Sequence, residues 1–168
     1  MSGVEIERKY IIEKPSAEDM SAMEGYLSSR ITQIYLTSRR GVTHRVRRRE
    51  YSDGRTEYTE TKKIRINKLS AIEDESEITR DVYDALSKNI REGSAPVEKI
   101  RHVFKYKGKL IEIDEYPFWN RSCILETELS SESEFVALPP FIKVINEVTG
   151  DHAYSNSSMA SRFPDEPV

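Results

Sequence analysis

Apolar and polar residues alternate with a period of two over residues 4–12, 32–37, 43–50, 56–66, 71–78, 98–106, 109–116 and 123–129. Successive side chains of a strand point to opposite faces, so this alternation predicts strands whose two faces differ in chemistry. Ser52-Asp53-Gly54 and Lys107-Gly108-Lys109 lie between such runs and are suited to tight turns, which makes their flanking strands antiparallel hairpins. Two segments change period. Pro15-Ser16 followed by Asp19 resembles a helix start, and Met20, Met23 and Leu27 then recur at helical spacing. A second helix is expected from Thr79, with Val82, Leu86 and Ile90 at intervals of four, each helix laying an apolar stripe on the sheet. Arg91 to Pro96 reads as a loop, and the end from Phe163 to Val168 is expected to fray.

The charged faces carry the chemistry. Glu5, Glu7 and Lys9 share one face, as do Arg45 and Arg47, Thr61 and Lys63, Glu73 and Glu75, Lys99 and Arg101, Glu112 and Asp114, and Glu126 and Glu128. Any one of these pairs is explained by a solvated sheet surface. The opposite faces, however, carry Ile6, Ile12, Ile111, Ile113 and Leu125. If the helices cover those apolar faces, the charged faces look at one another across a closed barrel, where opposite signs compensate. The expected fold is α+β: a closed eight-stranded antiparallel β-barrel, or tunnel, with helices packed outside and residues 1–168 as one domain.

Composition narrows the picture. The 26 basic and 29 acidic side chains nearly cancel to a net charge of −3, so their order matters more than their sum. A lone cysteine, Cys123, forms no internal disulfide, and Met-Ser-Gly-Val-Glu-Ile-Glu has no apolar secretory core, so a cytoplasmic location is expected. No run approaches the roughly 20 apolar residues of a membrane span, so no membrane partner is expected. Arg45 to Arg49 suggests a nucleic-acid patch, but alternation turns Arg48 away from Arg45 and Arg47, and no nucleic-acid partner is expected. His44, His102 and His152 are scattered without metal-ligand spacing. Tyr116-Pro117-Phe118-Trp119 reads as a core plug or barrel rim, or else as a stacking surface for a base. Serine-nucleophile and glycine-rich phosphate-loop motifs are missing.

Grouped carboxylates suit a hard cation, Mg²⁺ or Mn²⁺, and grouped cations suit a polyanion, with arginine forks matching phosphate. Glu5-Ile6-Glu7-Arg8-Lys9 resembles the Glu-x-Glu-x-Lys signature of the CYTH superfamily, the triphosphate tunnel metalloenzymes. Arg45-Val46-Arg47, Thr61-Lys62-Lys63, Glu73-Asp74-Glu75, Lys99-Ile100-Arg101, Ile113-Asp114 and Glu126-Thr127-Glu128-Leu129 follow in that family's order. Glu147-Val148-Thr149-Gly150-Asp151 and Tyr154-Ser155-Asn156 resemble its bacterial C-terminal segment.

The resemblance implies metal-dependent hydrolysis of a small-molecule triphosphate, most simply inorganic triphosphate, by a monomer or homodimer. It implies Glu5, Glu7, Glu126 and Glu128 as metal ligands. Lys9, Arg45, Arg47, Lys63, Lys99 and Arg101 would bind phosphate, and Lys9, Lys63, Glu75 and Asp114 would serve catalysis. The sequence departs from the family pattern at Ala71, where relatives often carry a basic residue, and the choice of Lys63 over Lys62 rests on spacing. An adenylate cyclase of the same superfamily and a non-catalytic polyphosphate- or nucleotide-binding module remain as alternatives.

Overall fold

The computed structural model describes residues 2–167. The chain runs β1 (Ser2–Glu13), α1 (Ala17–Ser21), β2 (Glu24–Tyr35), β3 (Thr43–Tyr51), β4 (Thr56–Arg65), β5 (Ser70–Glu77) and α2 (Arg80–Ser87). It continues through β6 (Val97–Tyr106), β7 (Lys109–Glu115), β8 (Ser122–Glu128), β9 (Val144–Glu147), a 3₁₀ turn at His152–Tyr154 and α3 (Asn156–Met159). Neighbours follow the order β5-β4-β3-β2-β6-β7-β8-β1, and β1 returns to β5, so eight antiparallel strands close into a barrel while β9 adds outside against β1. Closure leaves no open edge in the eight-strand ring.

The long first strand makes closure possible. Residues Glu7–Glu13 pair with β8 and Ser2–Ile6 pair with β5. The β6–β7 hairpin is a two-residue turn at Lys107 (φ 47°) and Gly108 (φ 76°), so Lys109 already belongs to β7 and faces Tyr106. Both positive φ values match the turn type that continues strand twist.

The helices are smaller than the sequence pattern suggests. Ser16 caps α1, accepting from Asp19 N at 3.0 Å, but α1 ends at Ser21 and Leu27 lies in β2. That strand begins at Glu24, eight residues before the expected position 32, and pairs with β3 on one edge and β6 on the other. Ladder hydrogen bonds on both edges outweigh a helical spacing of three apolar residues. Thr79 caps α2, which buries Tyr83 and stops at Ser87. Ile90 lies beyond it in a bridge to Leu36, and Val82 is 41% exposed, so the packed stripe is Ile78, Tyr83 and Leu86 against Val46.

Besides the cluster under α2, buried apolar residues form two further clusters. Outside β6, β7, β8 and β1, Ile12, Phe104, Ile111, Ile113, Cys123 and Leu125 pack under Met20, Leu138, Phe141 and Ile142. Inside one end, Ile11, Tyr35, Val97, Tyr116 and Ile124 join Trp119, Val148, Met159 and Ala160 in a plug. Ile11, Val97, Tyr116 and Ile124 have the parity of the charged pairs of β1, β6, β7 and β8, so the interior turns from polar to apolar at that end. The aromatic run is thus a core plug, and the C-terminal segment completes it.

That end of the chain is tied down, contrary to the expected fraying. Phe163 stacks on Phe118 with centroids 4.0 Å apart, Trp119 Nε1 donates to Pro164 O at 3.1 Å, and Ser122 Oγ donates to Pro167 O at 2.8 Å. Val168 lies outside the described residues. Among the described residues no helix is long and apolar enough to cross a membrane.

Gly150, at φ +73°, sits where an added Cβ would lie 2.7 Å from Lys68 Cβ, whereas Gly93, at φ +76°, has nothing within 4 Å. Gly93→Ala should therefore cost the left-handed strain alone, about 1–2 kcal/mol. Gly150→Ala should add about 1–3 kcal/mol of overpacking and lower the melting temperature several degrees further. Thermal denaturation of the two variants checks this; equal melting temperatures would show that the turn is not packed on the Lys68 loop.

Candidate active site

Closure sorts the charges into two arcs of wall. Along the chain the signs alternate, but β7, β8, β1 and β5 are spatial neighbours and bring Glu112, Glu126, Glu128, Glu5, Glu7, Glu73 and Glu75 together. Strands β4, β3, β2 and β6 form the other arc and bring Lys63, Arg65, Arg45, Arg47, Arg49 and Arg101. Lys9 is the cation set within the acidic arc. All of these residues line one cavity of about 530 Å³, with Tyr35, the Gly41–Thr43 loop, His152 and Ser155–Ser157 at its rim.

Ten of the twelve residues singled out in the sequence line that cavity; Lys99 and Asp114 do not. Asp114, 1% exposed, accepts the Arg101 fork at 2.7 and 2.8 Å and lies 2.8 Å from Lys99 Nζ. Arg101 Nη1 also reaches Glu112 at 2.5 Å, and Lys99 donates to Asn156 Oδ1 at 3.3 Å. Two cations and two carboxylates thus compensate one another inside the wall. Against burial, which opposes the charge of Asp114, Arg101 and Lys99 hold its carboxyl well below the usual carboxylate range. Burial, Arg101 and Arg47 pull Lys99 down to about 7 against the attraction of Asp114.

Elsewhere the compensation is partial. Lys63 Nζ lies 2.7 Å from Glu5, 3.7 Å from Glu73 and 4.0 Å from Glu7, and Lys9 Nζ lies 3.3 Å from Glu126. Burial, with Glu126 and Glu5 nearby, pushes Glu7 up to about 8. Burial and a hydrogen bond to Glu5 raise Glu73 to about 7, and burial with Glu5 and Glu112 raises Glu128. In Glu5, burial is overcome by Lys63 and by the hydrogen bond from Glu73, which lower it. Lys9 and Arg101 overcome burial at Glu126 and lower it far. Glu75 accepts from Thr61 Oγ1 at 2.8 Å.

Carboxylates that raise one another's pKa are an all-oxygen donor set short of positive charge, which is the chemistry a hard divalent cation fits. Among the described residues, no three acidic or imidazole side chains converge closely enough to hold one as they stand.

The basic arc contains positions that spacing alone left out. Arg49 and Arg65 continue the period-two series of Arg45–Arg47 and Lys63, and carrying the alternation two residues further finds both. Arg65 is in register with Ala71, which faces Glu5, so β4 supplies a cation beside the position where the family pattern puts one on β5. Gln33 and Tyr35 on β2 gave no charge signal. Gln33 Oε1 accepts from Arg47 at 3.0 and 2.7 Å, and Arg45 Nε is buried without a hydrogen-bond partner. Lys62 is exposed, whereas Lys63 lines the cavity.

No family model matches the chain, and no curated protein matches it. Solved structures do. The inorganic triphosphatase NE1496 is 28% identical with a TM-score of 0.59, covering 95% of this chain and 96% of its own. A Pyrococcus furiosus protein described as conserved and hypothetical is 20% identical, with a TM-score of 0.56 over 77% of this chain and 80% of its own. HpAC1 from Hippeastrum, described as revealing a dominant triphosphatase activity, is 15% identical, with a TM-score of 0.51 over 75% and 80%. The last two likenesses show the fold alone.

Two expectations test these electrostatics. Glu7 has a pKa raised from 4.5 to about 8, so its contribution to stability is fully present below pH 4.5 and is lost as pH rises through 8. The metal-free protein should lose melting temperature over that window, and Glu7→Gln should flatten the slope. Asp114→Asn removes the charge that Arg101 and Lys99 share and turns one accepting oxygen into a donor, so it should cost about 3–5 kcal/mol, read by denaturant unfolding. Wild-type stability in Asp114→Asn would show that the cluster does not hold the wall together.

Proposed function

Because the chain has the CYTH, or triphosphate tunnel, fold, we propose that it hydrolyses the terminal phosphoanhydride of inorganic triphosphate with a divalent metal, Mg²⁺ or Mn²⁺. The observation that carries this reading is the sorting of arginines and carboxylates onto facing arcs of one cavity. The likeness to an inorganic triphosphatase supports it.

The basic arc suits an extended polyanion. Arg45, Arg47 and Arg49 stand along one strand, with Lys63 and Arg65 on the next. Each arginine fork matches the oxygens of a phosphoryl group. Lys9 and Arg101 face them and neutralise charge that shifts toward the leaving phosphate. Asp114 and Lys99, enclosed in the wall, act by fixing Arg101 rather than by touching substrate, which departs from the roles the resemblance gives them. Glu5, Glu7 and Glu128, with Glu126 and Glu73 beside them, would hold the metal, which when bound polarises the phosphoryl group and activates water. Glu75, oriented by Thr61, borders the same space.

A bare triphosphate fits better than a nucleotide. Trp119 is 5% exposed inside the plug and Phe118 is stacked on Phe163, so the aromatic run is committed to packing rather than to a base. The adenylate cyclase alternative requires a place for adenine.

Glu5→Gln and Glu7→Gln should abolish turnover of inorganic triphosphate while remaining folded. They should also remove the rise in melting temperature that Mg²⁺ or Mn²⁺ gives the wild type. Full activity in excess chelator, or in both variants, would rule out metal at these residues. Arg45→Ala and Arg47→Ala should each lower kcat/KM, about tenfold for every 1.4 kcal/mol of lost transition-state binding. ATP should be a poorer substrate than inorganic triphosphate under the same metal, and cyclic AMP as product would make the protein a cyclase.

A further inference from the structure

The cations of the cavity are held in two chemically different ways. Arg101 is gripped by the carboxylates of Asp114 and Glu112, Lys63 by Glu5, and Lys9 by Glu126. Arg47 is gripped by an amide. Gln33 is 0% exposed, and its Oε1 accepts from Arg47 Nε at 3.0 Å and Nη2 at 2.7 Å. Its Nε2 donates to Tyr35 OH at 3.1 Å, which fixes the amide's orientation. The β2–β3 register sets Gln33 beside Arg47 and Tyr35 beside Arg45. Arg49 follows the same rule, donating Nε to Ser29 Oγ at 2.9 Å.

A carboxylate in place of Gln33 would make the same two hydrogen bonds more strongly, since a charged acceptor roughly doubles their strength. It would also cancel the guanidinium charge inside a wall of low polarity. A neutral acceptor orients the fork and leaves the charge in place, with Nη1 left for a ligand. We propose that Gln33 is a positioning residue that aims Arg47 at the phosphate chain while preserving its full charge for the substrate. This rests on the triphosphate reading of the cavity. Burial and the neighbouring Arg45 and Arg101 pull Arg47 down to about 9 against the attraction of Glu75, as expected for a cation whose counter-charge in the free protein is incomplete. A trianion or tetra-anion supplies that counter-charge on binding, so the free protein holds an unbalanced cation that the substrate balances.

The experiment compares wild type, Gln33→Glu, Gln33→Leu, Arg47→Ala and the Gln33→Leu/Arg47→Ala double variant with inorganic triphosphate, reading kcat, KM and melting temperature. Gln33→Glu should keep or raise the melting temperature yet raise KM by about tenfold or more, the equivalent of at least about 1.4 kcal/mol of binding. The dependence of its KM on salt should be shallower, because one cation has been neutralised. Gln33→Leu, which keeps the wall neutral but releases the fork, should lower kcat/KM in the wild-type background and add no loss to Arg47→Ala. It also keeps the test decisive if Gln33→Glu does not fold. Wild-type KM in Gln33→Glu, or a Gln33→Leu loss undiminished on Arg47→Ala, overturns the proposal while an impaired Arg47→Ala leaves the triphosphate reading standing. Unchanged kinetics in Arg47→Ala overturns both.

Discussion

The pairing of one strand with two partners governs this structure. Strand β1 gives its first half to β5 and its second half to β8, and so joins the first part of the sheet to the last. Without that double pairing the sheet would be open, β8 and β5 would be opposite edges, and the acidic faces would look into solvent. With it, Glu5 and Glu7 lie between Glu73 and Glu128 on adjoining strands, and repulsion among them is confined to one arc. Strand pairing is bought with backbone hydrogen bonds, so the fold can hold carboxylates together that would not associate by themselves.

Closure also sets how burial and charge are balanced. A charged interior is tolerable only where opposite signs lie within contact distance, and the Lys99–Asp114–Arg101–Glu112 cluster meets that condition in the wall itself. The remaining cavity is left out of balance, with raised carboxylate pKa values on one arc and arginines held by neutral groups on the other. An imbalance of both signs facing each other is a poor arrangement for an empty barrel and a good one for a cation and a polyanion bound side by side. The apolar plug of Tyr116, Trp119 and Met159 ends the polar interior, so the charged section is confined to one stretch of the lumen.

Some of this was legible in the chain and some was not, and particular residues show why. Glu5-x-Glu7-x-Lys9 and the other i, i+2 pairs announce their shared faces because strand geometry has a period of two. Arg49 and Arg65 obey the same rule and needed only its continuation. Gln33 and Tyr35 carry no charge, so their part in holding the arginines appears only when β2 is set beside β3. Leu27 shows the reverse error: helical spacing near Met20 is real, but a strand bonded on both edges overrides it.

By itself the sequence determined which residue types occupy alternate positions, where the tight turns at Gly54 and Gly108 fall, and hence that charged faces back onto apolar ones. Those are local properties, carried by backbone geometry over a few residues. The tertiary structure alone decided which charged faces become neighbours, because that depends on closing β1 onto both β5 and β8. It also decided which cations pair inside the wall with Asp114 and Glu112 and which stay oriented by amide and hydroxyl groups, because the register between adjoining strands sets those partners and no spacing within one strand reports it.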